Sequence, residues 1–301
     1  MTSSLNDKSF YLPLDDRYYN LDEEEKTFFK KETGIQDDAE LKKHIIAVQI
    51  KAFSIYPFPS IRLFDFARLQ LGRLPAYDQL IKLGKERKYA ILIDLGCCFG
   101  SDIRKAIQDG YPVQNTLSSD LRKSLWELGH ELFKSTSHSF PASFIEGDVL
   151  NPSFLSAVPS FAKGSPPTTA ALSLNSITSL NDLRGSVSAV YTGQFFHLFS
   201  ETQQDQIAWG LASLLSPEPG SMILGMHAGR SIKGFWAPGG SDFKTFCHSP
   251  ESWKELWERI FGVGCVEVKA ELKPVGGDSY FDMYPDNKDP FHMMMWSLTR
   301  L

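Results

Sequence analysis

No stretch of the sequence approaches the roughly 18–20 consecutive apolar residues that a membrane-crossing helix needs. The longest compact apolar run, 89–95, is short and holds a carboxylate, Asp94, so no membrane span is expected. Cysteine is scarce: four in 301 residues, with Cys97 and Cys98 adjacent and Cys247 and Cys265 isolated. That excludes a disulfide framework, and no Cys/His ligand spacing for a structural metal is present. A reducing, cytoplasmic setting fits best. Positive charge is in deficit, 31 Lys+Arg against 36 Asp+Glu, a net charge of −5, which argues against a nucleic-acid partner. The opening residues, MTSSLNDKSFYLPLDDR, hold no apolar h-region, so no secretory signal is expected. Internal repeats are also absent.

What is present is an ordinary globular balance, 42% hydrophobic and 22% charged. The length suggests two domains, or one large one with an extension. Residues 1–87 read as helical, with helices over 21–33, 38–54, 61–68 and 77–85 and no strand pattern. Pro57 and Pro59 separate the second from the third. The texture changes at Lys88, where an apolar run ending at Gly96 reads as a strand buried on both faces. Further strands are expected at 116–119, 143–145, 186–191, 221–224, 263–272 and 291–298. Helices are expected at 102–109, 121–134, from a capping box at Ser200–Gln203 to 215, and from Ser249-Pro250 to Ile260. The Ser/Thr/Pro/Gly-rich segment 156–182 reads as a surface insertion with one helical turn near Leu180. Seven strands with helices between the first five predict a doubly wound α/β sheet. The non-helical connection 273–290 predicts that the last two strands pair antiparallel at one edge.

The chemistry sits at strand ends. The string DLGCCFG at 94–100 lies where the first strand gives way to a helix. Its glycines, Gly96 and Gly100, are four apart, so the G-x-G-x-x-G of a dinucleotide fold is missing, and Asp94 suits a cationic ligand better than a phosphate. Asp120, with Leu121 after it, ends the second strand, where a carboxylate can accept hydrogen bonds from ribose hydroxyls. Asp148 and Val149 follow the third. Each has a plainer reading: Asp94 as a helix-approach residue, Asp120 and Asp148 as caps or turn formers. Cys97 and Cys98 read as small side chains in a tight turn. His197, in the aromatic stretch 195–199 after the fourth strand, reads by default as a half-buried histidine bonded to backbone, with a catalytic role as the alternative. The aromatic group Tyr18, Tyr19, Phe53, Tyr56 and Phe58 is core or a lid over an apolar ligand, and Phe235 and Trp236 pose the same choice. The Met293–Met295 run reads as strand core.

The motif at 94–100 resembles the first motif, D-x-G-x-G-x-G, of class I methyltransferases that use S-adenosylmethionine, with Cys98 in place of the middle glycine. More closely, the chain from about Leu41 onward resembles the fungal methyltransferases of meroterpenoid biosynthesis. The marks are AFSIYPFP at 52–59, DLGCCFG at 94–100, GDVL at 147–150, FFHLF at 195–199 and PGSMI at 219–223. The resemblance implies a Rossmann-like, seven-stranded sheet with an N-terminal helical lid over 1–87 and a cofactor-binding domain over 88–301. It implies that S-adenosylmethionine is held by Asp94, Gly96, Cys98, Gly100, Asp120, Leu121, Asp148, Val149 and Gln194, with no metal. Asp148 would meet the adenine amino group and Val149 would pack on its ring. His197 becomes a candidate catalytic residue, and Tyr19, Tyr56, Phe58, Phe196 and Trp236 candidate substrate contacts. The implied reaction is O-methylation of a carboxyl group on a lipophilic acid, by a homodimer. Alternatives are a cyclase or isomerase on the same fold that binds the cofactor without consuming it, and a degenerate partner subunit. A dinucleotide oxidoreductase ranks last.

Overall fold

The computed structural model describes residues 12–164, 173–237, 244–275 and 291–301. Its centre is a seven-stranded sheet built from β1 (Ile91–Leu95), β2 (Thr116–Asp120), β3 (Ser143–Glu146), β4 (Val187–Gly193), β5 (Met222–Gly229), β8 (Val266–Pro274) and β9 (His292–Arg300). The order across the sheet is β3-β2-β1-β4-β5-β9-β8. The first five strands run parallel, and β9 lies antiparallel between β5 and β8. The antiparallel edge pair and the alternation of strands and helices are as the sequence predicts.

Both faces of the sheet are covered, which is why its inner strands read as continuous apolar runs. On one face, α7 (Glu201–Leu214) and α8 (Pro250–Phe261) bury Ile207, Leu211, Trp253 and Trp257 against Ile93, Val190, Ile223 and Leu298. On the other, α4 (Tyr77–Glu86), α5 (Ser101–Gln108) and Trp126 of α6 (Lys123–Leu132) cover Leu92, Ala189 and Leu224. The capping box expected at Ser200 and the Pro-led start after Ser249 are both present. They satisfy backbone donors that the helix leaves open.

The chain before the sheet carries α1 (Glu23–Thr33), α2 (Asp38–Ile55) and the short α3 (Pro59–Arg62). Its apolar faces, Phe28, Phe29, Leu41, Ile45 and Val48, close over Leu125, Leu132 and Phe133 of α6 and over Phe99. Phe29 stacks on Phe133 at 5.3 Å. Burying side chains of this size contributes up to about 2–3 kcal/mol each. Glu25, also buried, pairs with Arg68 at 3.2 Å and Arg73 at 2.7 Å. This fastens α1 to the loop leading into α4.

Three expectations change. The helix over 61–68 is broken: Phe64 takes φ 59°, α3 ends at Arg62, and a separate 3-10 turn covers Asp65–Ala67. β5 runs on to Gly229 because β9 pairs with it along its whole length, Met222 to Thr299 through Gly229 to His292. A small hairpin, β6 (Gly234–Trp236) with β7 (Thr245–Cys247), had no periodic signal. In the insertion, 3-10 turns lie at Leu174–Ser176 and Leu180–Leu183. Residues 165–172 of that insertion, and most of the 273–290 connection, lie outside the described residues.

Candidate cofactor and active site

The carboxyl ends of β1, β2 and β4 meet at one tight turn. After Leu95 the chain passes through Gly96 (φ 76°), Cys98 (φ 50°) and Gly100 (φ 70°), all left-handed. The Gly96 and Cys97 N–H groups donate to the Ser119 carbonyl at 2.8 and 3.2 Å. The Cys98 N–H donates to Asp120 Oδ2 at 2.9 Å, and the Arg122 N–H donates to Oδ1 at 2.9 Å. Asp120 therefore locks the turn to the end of β2, and each oxygen keeps a further lone pair. A Cβ on Gly96 would come within 2.6 Å of the Phe195 ring, and one on Gly100 within 2.5 Å of Trp126. Glycine is thus required at both places for space as well as for conformation. Position 98 has a side chain in the same backbone region, at a cost of about 1–2 kcal/mol. The Cys98 side chain packs into the cluster around Phe99 and the N-terminal helices.

Asp94 lies beneath this turn, 2% exposed. It lies beside the start of α5, where the Ile103 N–H pulls its carboxyl down, so the plainer reading as a helix-approach residue is part of what it does. Its other oxygen, Oδ2, is buried without a hydrogen-bond partner. Neighbouring Asp102 accepts the Leu71 N–H at 2.9 Å and the Tyr191 hydroxyl at 2.8 Å. Burial first, then the charges of Asp102 and Asp120, push the Asp94 carboxyl well above the usual range. Burial also raises Asp102 and Asp120. No lysine or arginine pairs with Asp94 among the described residues. A buried carboxylate with no paired cation and two carboxylates beside it is costly unless a positive ligand arrives. The arrangement fits S-adenosylmethionine on these counts: an orphaned carboxylate oxygen, a glycine turn with no room for side chains, and open lone pairs on Asp120.

The remaining candidates are placed as follows. Leu121 is exposed just past β2, and Val149 is buried after β3. Asp148 is exposed, and its Oδ1 accepts the Leu150 N–H at 2.9 Å, a turn-forming bond that leaves Oδ2 open. Gln194 (φ 49°) follows β4, its N–H donating to the Met226 carbonyl at 2.7 Å. Tyr56 and Phe58 touch at 4.0 Å between centroids, with the Arg122 guanidinium 4.3 Å from the Tyr56 ring. Tyr19 meets Phe64 edge-on at 5.5 Å, and burial lifts its hydroxyl to about 12. Two candidates are corrected. Phe196 is fully buried against His227, Trp253 and Trp296. Trp236 is buried with Ala228 and Cys247 and packs on Phe291. The structure places both in the packing, because an aromatic next to a strand end serves core and cleft equally well in sequence. The site also contains Asp65, which no motif marked. Gln194 Nε2 donates to its Oδ2 at 3.3 Å.

His197 Nδ1 accepts the Ala228 N–H at 3.4 Å, and burial pulls the ring down to about 4. Nε2 therefore carries the proton in the neutral ring. Burial likewise lowers His248 to about 4 and His227 further below the usual value. The unfolded chain takes up these protons below about pH 6.5, while the folded chain resists until about 4, so this contribution to stability is lost as pH falls through that window. His248→Asn keeps a partner for Ser252, which His248 Nδ1 meets at 2.9 Å. Its stability should fall less steeply between pH 6 and 4.5 than that of the wild type. The two slopes should differ by up to about 1.4 kcal/mol per pH unit in urea unfolding. Parallel curves would mean that His248 is already protonated in the fold.

The sheet order, the glycine turn and the acidic strand ends fit the fold of class I, S-adenosylmethionine-dependent methyltransferases. Residues 15–67 match the family described as "Meroterpenoid methyltransferase N-terminal domain". The chain is 29% identical over 237 residues to O-methyltransferase phiE of a fungal species, covering 79% of this chain and 71% of that one. It is 27% identical over 262 residues to the Asnovolin E/Chermesin D methyltransferase nvfJ of Aspergillus novofumigatus, covering 87% and 83%. Among solved structures, magnesium protoporphyrin IX methyltransferase (ChlM) of Synechocystis, with bound SAM, aligns at 11% identity with a TM-score of 0.42, covering 96% of this chain and 99% of that one. Both of these sequence relatives are named methyltransferases and come from fungi.

Proposed function

We propose that this protein transfers a methyl group from S-adenosylmethionine to a carboxylate oxygen of a lipophilic meroterpenoid- or polyketide-type acid. The observation that carries this reading is Asp94, buried beneath the glycine turn with Oδ2 unpartnered, no cation paired with it among the described residues, and the carboxylates of Asp102 and Asp120 beside it. When bound, S-adenosylmethionine supplies a methyl group on a sulfonium, a leaving group that needs no further activation. Asp120 would hold the ribose hydroxyls, Leu121, Asp148 and Val149 the adenine, and the turn from Gly96 through Cys98 to Gly100, with Gln194, the methionyl end. What the protein must still do is align the acceptor with the methyl carbon and keep water out. A carboxylate with a pKa near 4 is ionised at neutral pH and needs no base, whereas a phenol near 10 would profit from one. His197 suits a carboxylate acceptor, because the neutral ring, with Nε2–H free to donate, can orient it. The helices over 12–87 form the lid in this reading, and Tyr19, Tyr56 and Phe58 offer apolar lining. We further assign the protein to the cytoplasm, as a homodimer.

The test uses methyl-labelled S-adenosylmethionine with a prenylated aromatic acid and, separately, its decarboxylated analogue. Label is expected in a saponifiable ester from the acid alone. Conversion without label would instead mean a cyclase or isomerase. In calorimetry, Asp120→Ala is expected to weaken S-adenosylhomocysteine binding at least about tenfold, as two ribose hydrogen bonds to a charged group are lost. Failure of the wild type to bind it would overturn the reading.

A further inference from the structure

Asp65 stands outside every motif, yet it lies where three segments converge. It opens the 3-10 turn that follows the left-handed Phe64. Its neighbour Phe66 packs on Phe99, next to the glycine turn, at 4.6 Å. Its own carboxylate reaches across to Gln194, the first residue beyond β4, 129 positions along the chain. That contact, at 3.3 Å, is the one hydrogen bond the Asp65 side chain makes among the described residues. Of the two cations three positions away, Arg62 is engaged with the Pro13 carbonyl and the Tyr18 hydroxyl, and Arg68 with Glu25 and the Asn20 carbonyl. Burial lifts the Asp65 carboxyl to about 6, against the pull of Gln194 and Arg68.

The hydrogen-bond inventory of this pair is lopsided. Gln194 uses its amide N–H toward Asp65 and its backbone N–H toward Met226. That leaves Gln194 Oε1 and Asp65 Oδ1 as acceptors, with no donor supplied by the described residues. Two convergent acceptors, one of them anionic, call for a ligand group with several N–H donors and a positive charge. A substrate carboxylate would be repelled there, and a hydroxyl would satisfy only one acceptor. A primary ammonium satisfies both.

We propose that Asp65, braced by Gln194, binds the α-ammonium group of the cofactor's amino-acid end, so that the N-terminal segment itself completes the cofactor site. This rests on the S-adenosylmethionine reading above. Asp65 is thereby a cofactor contact carried by the lid, and cofactor binding and lid docking become one linked equilibrium.

Calorimetry with three probes tests it. S-adenosylhomocysteine carries the ammonium and the carboxylate, decarboxylated S-adenosylhomocysteine keeps the ammonium alone, and 5′-methylthioadenosine has neither. Asp65→Asn is expected to weaken the first two by about 10- to 100-fold and to leave the third within about threefold. Gln194→Leu reads the same contact from the other side and should show the same selective loss; it decides the matter if Asp65→Asn fails to fold. Unchanged binding of the ammonium-bearing probes, or equal loss on all three, overturns the proposal. A wild type that binds none of the three overturns the cofactor reading instead, and the proposal with it.

Discussion

Asp94→Asn is expected to melt higher than the wild type in the absence of ligand, and the gap should widen as pH rises. The asparagine keeps the shape of the side chain and one oxygen beside the Ile103 N–H at the start of α5. What disappears is a carboxyl whose Oδ2 is buried without a partner, close to Asp102 and Asp120. Its folded pKa is raised, so in the wild type the favourable protonated state holds below the unfolded value near 3.9. It is lost as pH climbs toward the folded value. Over that interval the wild type forfeits up to about 1.4 kcal/mol per pH unit, which the variant keeps. Affinity should move the opposite way. A cation near the turn is stabilised by the carboxylate, so S-adenosylmethionine binding is expected to weaken about tenfold, the equivalent of one pKa unit. Scanning calorimetry from pH 5 to 9, with titration at pH 8, reads both. A variant that melts lower at every pH would make Asp94 a structural partner and nothing more.

Gly129→Ala is expected to lose about 3 kcal/mol of stability, although alanine is the better helix former by about 1 kcal/mol. The reason is contact between backbones. Gly129 faces outward from α6 onto the Phe99 carbonyl, and a Cβ there would fall on the oxygen and carbon of that peptide group. Backbone cannot rotate away as a side-chain tip can. Either α6 retreats from the sheet, opening the Leu125, Leu132 and Phe133 contacts with α1 and α2, or the peptide at Phe99 shifts. The second route disturbs the turn that Asp120 holds through Cys98. Loss of stability and weaker S-adenosylhomocysteine binding are therefore expected together, measured by urea unfolding and calorimetry. A change under about 1 kcal/mol would show that the helix and the turn have slack between them.

The features legible in the sequence are those set by local periodicity and capping. Ser200 and Ser249 announce their helices because the capping bond spans only three residues. β1 announces itself because burial on both faces demands a compact apolar run. The positions of Asp94 and Asp120 followed from the strands, since a residue at a strand end is fixed once the strand is. Other features depend on partners far along the chain. The break at Phe64 follows from tertiary packing, which overrides a helical pattern that fits 61–68 well. Asp65 has no motif because its partner Gln194 is remote and its environment is assembled only by folding. Gly129 carries no sequence signal of its own, and only the approach of Phe99 gives it a purpose. The burial of Phe196 and Trp236 was illegible for the same reason: composition marks aromatics near a strand end, and packing decides which way they face.

The place of β9 has a consequence for biosynthesis. It is drawn from residues 292–300, yet it lies inside the sheet, between β5 and β8. While the ribosome is still short of that point, β5 presents an unpaired, apolar edge, and β8 has no neighbour in the sheet. Such nascent edges invite pairing with other chains. Completion of the sheet must wait for translation to pass residue 300, so expression yield should respond to slower elongation, lower temperature or added chaperones.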